Sequence, residues 1–336
     1  MHPARGSLAI VGALTLVLVL AGCSSESGNS TTSAPSSDAS LPATSATVCL
    51  PVPGDSLVVL EDDQHLQNSD NVIPAVNASV ADDPAVLDAL NVVSEALDTP
   101  TLIQLNKAVD VDRQTSAEVA SAFVADEGLT APSTGSGSLT IGAANFSESI
   151  TIAEIYAAVL RDAGYSASVR TIGNRETYLP ALESGEIAIV PEYAATAAEF
   201  LNKRLNGADA PSVASGDITV TTDALNKLGS QVGIVFGEPA AAQDQNAFAV
   251  TTAFAEQYGV TTLSDLAEAC GGGLSLGGPP ECPERAFCQP GLEEVYGVEI
   301  TDFASLDAGG PLTKTAIRQG EVSIGLVLSS DGELAG

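Results

Sequence analysis

Two histidines, His2 and His65, are the entire imidazole complement of this 336-residue sequence. A Ser-His-Asp relay or a zinc centre needs an imidazole held by partners, and His65 stands alone once an N-terminal leader is removed. GGGLSLGG (271–278) is glycine-rich but lacks the Lys-Ser/Thr of a phosphate loop, so it reads as a turn and strand. The charged residues point the same way: 43 Asp and Glu against 12 Lys and Arg give a formal charge of −31. Such a surface is repelled by nucleic acid and by anionic lipid. With 45% hydrophobic residues the chain folds despite its charge, and its length suits two domains or one bilobed body. These observations argue against an enzyme and against a metal or cofactor.

The five cysteines carry the remaining distinctive chemistry. Arg5 precedes Leu8–Leu20, a 13-residue apolar run that is too short to span roughly 30 Å of hydrocarbon. The run ends in Leu20-Ala21-Gly22-Cys23, which resembles the lipobox of bacterial lipoproteins. Residues 1–22 then read as a signal peptide, Cys23 as the lipidated residue, and residues 23–48 as a Ser/Thr-rich tether. An ordinary secretory signal with a chance cysteine is the alternative. The lipobox reading anchors the protein on the extracytoplasmic face of the cell membrane. Four cysteines remain, with three pairings open to them. Cys282 and Cys288 flank Pro283 at a spacing a bent loop closes, which leaves Cys49 with Cys270. Without a CxxC spacing or a neighbouring histidine, zinc is the weaker reading.

The elements that position these residues alternate from Leu139 onward. LTIG (139–142) reads as a strand. Asn145 and Glu148 form a capping-box pattern, and Ile152, Ile155, Tyr156, Val159 and Leu160 share one face of the helix that follows. SVRTI (168–172), a helix around Glu176–Leu182 and the strand IAIV (187–190) complete a βαβαβ unit with a parallel sheet. ALESGEIAIV (181–190) is echoed by AIRQGEVSIG (316–325), which suggests two similar α/β lobes.

Three stretches, IGAANFSESITIAEIYAAVLRDAGY (141–165), ALESGEIAIVPEYAAT (181–196) and LGGPPECPERAFCQPGLEEVYGV (276–298), resemble the glycine betaine/choline/carnitine-type substrate-binding proteins of ABC importers. AIRQGEVSIGLVLSSDG (316–332) is similar to the segment where that family's second lobe ends. The resemblance covers nearly all of residues 49–336 and implies a bilobed type II periplasmic-binding-protein-like α/β fold with a hinge. Its order is displaced, because the family's closing LvvLeDD strand and helices resemble residues 57–63 and 71–129, before the first lobe. This reads as a circular permutation; a helical domain fused to a truncated receptor is the alternative. The implied organisation is a closing segment of lobe 1 at 49–130, a joint at 131–138, lobe 1 at 139–240, lobe 2 at 241–328 and a hinge end at 329–336.

The resemblance also implies a site in which aromatic faces hold a quaternary ammonium and donors meet a carboxylate. Tyr193 and Thr196 match the family's Tyr-x-x-Thr, and Arg285 falls where it carries a carboxylate-binding arginine. Other aromatic positions align with Asp70, Asn246 and Leu328, none of them aromatic. Asp70, Asp244, Asn246 and Arg175 offer polar or charged contacts instead, with Asn145 also a candidate; Asp70, Asp244 and Asn246 suit a cation with N–H donors. Either Tyr193 or Arg285 could instead be structural, the one in a core and the other in a local ion pair. The expected partners are a small polar amine or zwitterion and a membrane permease with its cytoplasmic ATPase. The receptor is expected to be a monomer with no nucleic acid partner. A non-transport envelope lipoprotein that kept the fold is the competing reading.

Overall fold

The computed structural model describes residues 47–280 and 282–334. The stretch expected to be a signal peptide, Cys23 and nearly all of the expected tether therefore lie outside the described residues. Five strands come from the first half of the fold: β1 (Leu57–Leu60), β2 (Val72–Asn77), β3 (Ser138–Ala144), β4 (Ser166–Gly173) and β5 (Ile189–Tyr193). They are followed by β6 (Ile234–Phe236), β7 (Asn246–Thr251), β8 (Leu274–Gly278), β9 (Ile300–Ser305) and β10 (Ile324–Leu328). Two sheets result, with orders β4-β3-β5-β2-β6 and β1-β7-β10-β8-β9. Their plans match. In the first, β3, β4 and β5 are parallel while β2 runs antiparallel to β5 and β6. In the second, β8, β9 and β10 are parallel while β7 runs antiparallel to β10 and β1.

Helices α1 (Ala78–Ala81), α2 (Pro84–Ala96), α3 (Thr99–Asn106) and α4 (Ser116–Asp126) follow β2. The predicted βαβαβ unit is formed by β3, α5 (Ser147–Asp162), β4, α6 (Arg175–Glu183) and β5. Then come α7 (Ala194–Asn206) and α8 (Ile218–Gly229) in the first lobe, and α9 (Thr252–Tyr258), α10 (Leu263–Ala269), α11 (Gln289–Gly291) and α12 (Pro311–Gln319) in the second. Strand β2 is buried along its whole length. Val72 and Val76 pack into the core that includes α2 and α5, whereas Ile73 and Ala75 pack into the core under α6 and α7. Every second residue crossing to the other face is the pattern of a central strand. The repeated sequence motif has a structural counterpart as well: α6 and α12 each end near a left-handed glycine, Gly185 (φ +75°) and Gly320 (φ +71°). Each turn feeds the strand at the middle of its sheet.

The expectation that residues 49–130 as a whole close the first lobe is corrected in its first part. Strand β1 pairs with β7, Leu60 against Phe248, in the second sheet. Both flanks of β2 are occupied by β5 and β6, whereas β7 has an edge for β1 to cover. The Cys49–Cys270 disulfide ties the same segment to the second lobe, and Cys282–Cys288 closes a short loop there.

The chain passes between lobes through residues 61–71 and 237–245. Asn71 and Gln243 form an antiparallel bridge, and the Asp244 N–H donates to the Asp70 carbonyl at 3.2 Å. Ser329, just past β10, completes the junction: its hydroxyl donates to the Gln243 carbonyl, and its N–H to that of Gln245.

Loop-closure entropy ranks the two disulfides. Cysteines 221 residues apart constrain the unfolded chain far more than cysteines six apart, by about 5 against about 2 kcal/mol. Cys49→Ser with Cys270→Ser is therefore expected to cost more stability in denaturant titration than Cys282→Ser with Cys288→Ser. An equal or reversed ranking would contradict this account.

Candidate functional site: a cleft between the two sheets

A cavity of about 780 Å³ opens between the lobes. The first lobe contributes the ends of β3 and β5 and the starts of α5, α6 and α7; the second contributes Asn246, Leu328 and Phe287. Asp70 and Asp244, one on each crossing segment, also line it.

Most of its charged groups are committed to the fold. Asp70 is buried, and its Oδ1 accepts the Thr196 N–H at 3.0 Å. Thr196 lies in the first turn of α7, where Tyr193 gives no side-chain cap. Asp70 therefore caps this helix from the crossing segment, meeting a backbone N–H that has no partner within the helix. Arg175, at the start of α6, donates through Nε and Nη2 to the wholly buried Glu192, with Nη2 at 2.7 Å, and through Nη2 to the Thr196 hydroxyl at 2.8 Å. The Tyr178 hydroxyl also donates to Glu192. A buried carboxylate needs such donors to remain charged.

Glu148 overturns the predicted capping box. Helix α5 has Phe146 as its N-cap residue with no side-chain cap. Glu148 turns inward and accepts hydrogen bonds from the Tyr193 hydroxyl and from Asn106 Nδ2. Burial next to two strong donors outcompetes the weaker capping contact with Asn145. Asn145 is exposed and lines the cavity.

Of the other expected site residues, Tyr193, Thr196, Asn246, Asp70, Asp244 and Arg175 all meet in the cavity. Arg285 does not: it is exposed and outside the lining, while Phe287 two residues later enters it. The Cys282–Cys288 disulfide closes a tight loop in which Phe287, not Arg285, reaches the cleft. The aromatic residues missing at 70, 246 and 328 are replaced from other positions. Phe146, Tyr178, Tyr193, Phe200 and Phe287 all line the cavity, and the Phe146 and Tyr193 rings lie 6.2 Å apart. Phe146 and Phe287 were missed by sequence reasoning; the signals that could have marked them are a phenylalanine beside a helix start and one between two cysteines.

Comparison with known proteins gives this cleft a family. The profile of the substrate-binding domain of ABC-type glycine betaine transport systems matches residues 52–126 and 137–335. The chain belongs to that family. It is 29% identical over 206 residues to a glycine-betaine-binding protein of Pseudomonas aeruginosa, covering 58% of this chain and 63% of the relative. The chain thus spans under two thirds of that relative's length. Apo YehZ from Escherichia coli is 26% identical with a TM-score of 0.49, over 59% of this chain and 71% of that one. A glycine betaine/carnitine/choline ABC transporter structure is 19% identical with a TM-score of 0.43, over 59% and 70%. The family is one of substrate-binding transport proteins, not of enzymes.

The carboxylates of this substrate-binding domain are held in unequal states. Burial raises the Asp70 pKa to about 6, against the opposing effects of the Thr196 N–H and the Arg175 charge. Burial, followed by the charge of Glu148, raises Asp244 to about 7. Burial also raises Glu148, although its hydrogen bonds from Tyr193 and Asn106 pull the other way.

A carboxyl group whose folded pKa exceeds its unfolded one holds its proton longer in the native state, so its contribution to stability falls as pH rises between the two values. For Asp244 that window runs from about 4 to about 7. Wild type is therefore expected to lose stability relative to Asp244→Asn as pH rises from about 4 to about 7, and to change little relative to it above that. Parallel pH dependences of the two proteins in thermal unfolding would refute the assignment.

Proposed function

We propose that this protein is an extracytoplasmic solute-binding lipoprotein of an ABC importer, and that it binds a small polar amine or zwitterion of the betaine class. The observation that carries the reading is the convergence, in one interlobe cleft, of several aromatic faces with the carboxylate of Asp244. Ring quadrupoles and carboxylates both attract a cation, the rings even when it has no N–H to donate. The named ligand of the Pseudomonas aeruginosa relative belongs to this chemical class.

In this reading Phe146, Tyr193 and Phe287 face the cationic end, with Asn145 and Asn246 as polar contacts at the rim. The anionic end lies by Arg175 and Thr196 at the start of α7, where the helix dipole also favours negative charge. Arg175 takes the place first expected for Arg285, because Nη1 is not among the atoms it commits to Glu192 and Thr196. Solute contacts made by both lobes are complete only when the cleft is closed, so binding shifts the hinge toward closure. The closed monomer then delivers its solute to a membrane permease driven by a cytoplasmic ATPase. Lipidated Cys23 holds it at the membrane through the tether.

A circular permutation accounts for the order of the strands. In the first lobe β6 follows β5 and lies beyond β2; in the second the corresponding place beyond β7 belongs to β1, from the opposite end of the chain. The two blocks of the family match break at residues 127–136, where the Gly/Ser-containing joint lies. Both points support fusion of the ancestral ends at the joint.

A calorimetric screen of small zwitterions, amino acids and amines tests the function. At least one is expected to bind, and Phe146→Ala and Phe287→Ala are each expected to weaken it by about 0.5–2 kcal/mol. Both side chains are about two-fifths exposed, so the unliganded proteins should unfold near the wild-type midpoint. No binding across the screen, or binding indifferent to both changes, would refute this site.

A further inference from the structure

The aromatic ring that the second lobe brings to the cleft stands in an exposed loop. Residues 283–287 are exposed, whereas the two cysteines that bracket them, Cys282 and Cys288, are 0% and 1% exposed. The disulfide fixes the ends of this loop, yet Phe287 itself is 42% exposed. A ring with water on much of its surface takes its direction from the backbone that carries it, since the backbone decides which rotamers are allowed.

Gln67, on the first crossing segment, holds that backbone. Its Nε2 donates to the Phe287 carbonyl at 3.0 Å, and the glutamine is only 6% exposed. The glutamine is fixed in turn: its own N–H donates to Asp62 Oδ2, and that of Leu66 to Asp62 Oδ1, both at 2.8 Å. Asp62 also accepts from the Tyr296 hydroxyl, which takes the Gln64 N–H at 2.8 Å. Leu66 packs in one core with Cys282, Cys288 and Tyr296. A Cβ on Gly291 would stand 2.4 Å from both Leu66 Cδ1 and the Ala286 carbonyl oxygen, so glycine is what allows this close seating. These contacts bind residues 62–67 to the second lobe. Two residues later the allegiance changes, and the Ser69 N–H and hydroxyl donate to the carbonyls of Ser215 and Gly216 in the first lobe. Gln67 therefore stands where the segment leaves the second lobe, and Phe287 is attached to it there.

We propose that Gln67 is a positioning residue for solute capture: its amide, together with the Cys282–Cys288 bridge, aims the Phe287 ring into the cleft before solute arrives. The ring is then a preformed wall rather than a side chain ordered at the moment of binding, which removes part of the entropic cost of association. The effect on affinity rests on the solute-binding reading above; the aiming of the ring does not.

The sequence contains no tryptophan, which makes the ring directly observable. Phe287→Trp introduces a single indole whose fluorescence anisotropy reports how freely it moves. Adding Gln67→Met, which keeps the length of the side chain but has no N–H, is expected to lower that anisotropy and raise quenching by acrylamide. The same change beside Phe303→Trp, on β9 of the same lobe, is expected to alter neither. Glycine betaine serves as the calorimetric probe of capture. Gln67→Met alone should weaken its binding about two- to tenfold, the ordering cost of one side chain, and should have no further effect in Phe287→Ala. An indole at 287 that is indifferent to Gln67→Met would overturn the proposal, as would equal loosening at 303, the mark of a general loss of packing. So would a Gln67→Met effect of the same size with and without the Phe287 ring. No binding of glycine betaine by wild type, with the anisotropy loss present, would count against the betaine reading and uphold the aiming of the ring.

Discussion

The two lobes are joined by polar contacts between three short segments, and the placement of the cleft depends on that junction. Asn71 bridges Gln243, Asp70 receives the Asp244 N–H, and Ser329 bonds to Gln243 and Gln245. Hydrogen bonds exchange readily with water, so bending here costs little compared with separating packed apolar surfaces. The hydrophobic cores lie within the lobes, on either side of their sheets. Stiff bodies with a soft polar joint have the mechanics a hinge requires.

Acidic groups near this junction have distinct duties. Glu192 holds Arg175 and Tyr178 in place at the start of α6, and Asp70 fixes the start of α7 to the crossing segment. Glu148 braces Tyr193 against Asn106. Each carboxylate removed from water is matched by donors, which is what its burial demands. Asp244 departs from this rule, with one oxygen buried and unmatched.

Much of the fold was legible because it follows local rules. The βαβαβ unit after residue 138 came from periodicity, and the repeated helix–Gly–strand motif marks equivalent places in the two sheets. LVVL at 57–60 was readable as a strand, but its lobe was not, since a short apolar strand carries no information about which distant edge it will cover. The site was harder. Tyr193, Thr196 and Asp244 reach the cleft, yet Asn145 and Glu148 form no capping box, because the inward hydrogen bonds of Glu148 come from residues 42 and 45 positions away. Arg285 lies outside the cavity lining for a related reason: the short loop closed by Cys282–Cys288 brings Phe287 there instead. Aromatic faces contributed from unmatched positions are not found by matching the expected ones.

The apolar side chains at the mouth of the cleft would give closure a heat-capacity signature. Phe146 is 43% exposed on the first lobe, and Phe287 and Leu328 are 42% and 41% exposed on the second. Closure over a solute would strip water from all three, and dehydration of apolar surface lowers the heat capacity of the system. The enthalpy of closing therefore becomes more favourable on warming while the entropy becomes less so. The two changes largely cancel, and the closed population varies far less with temperature than either quantity alone. Apolar surface stripped on closure would thus show in the enthalpy of binding far more than in its free energy.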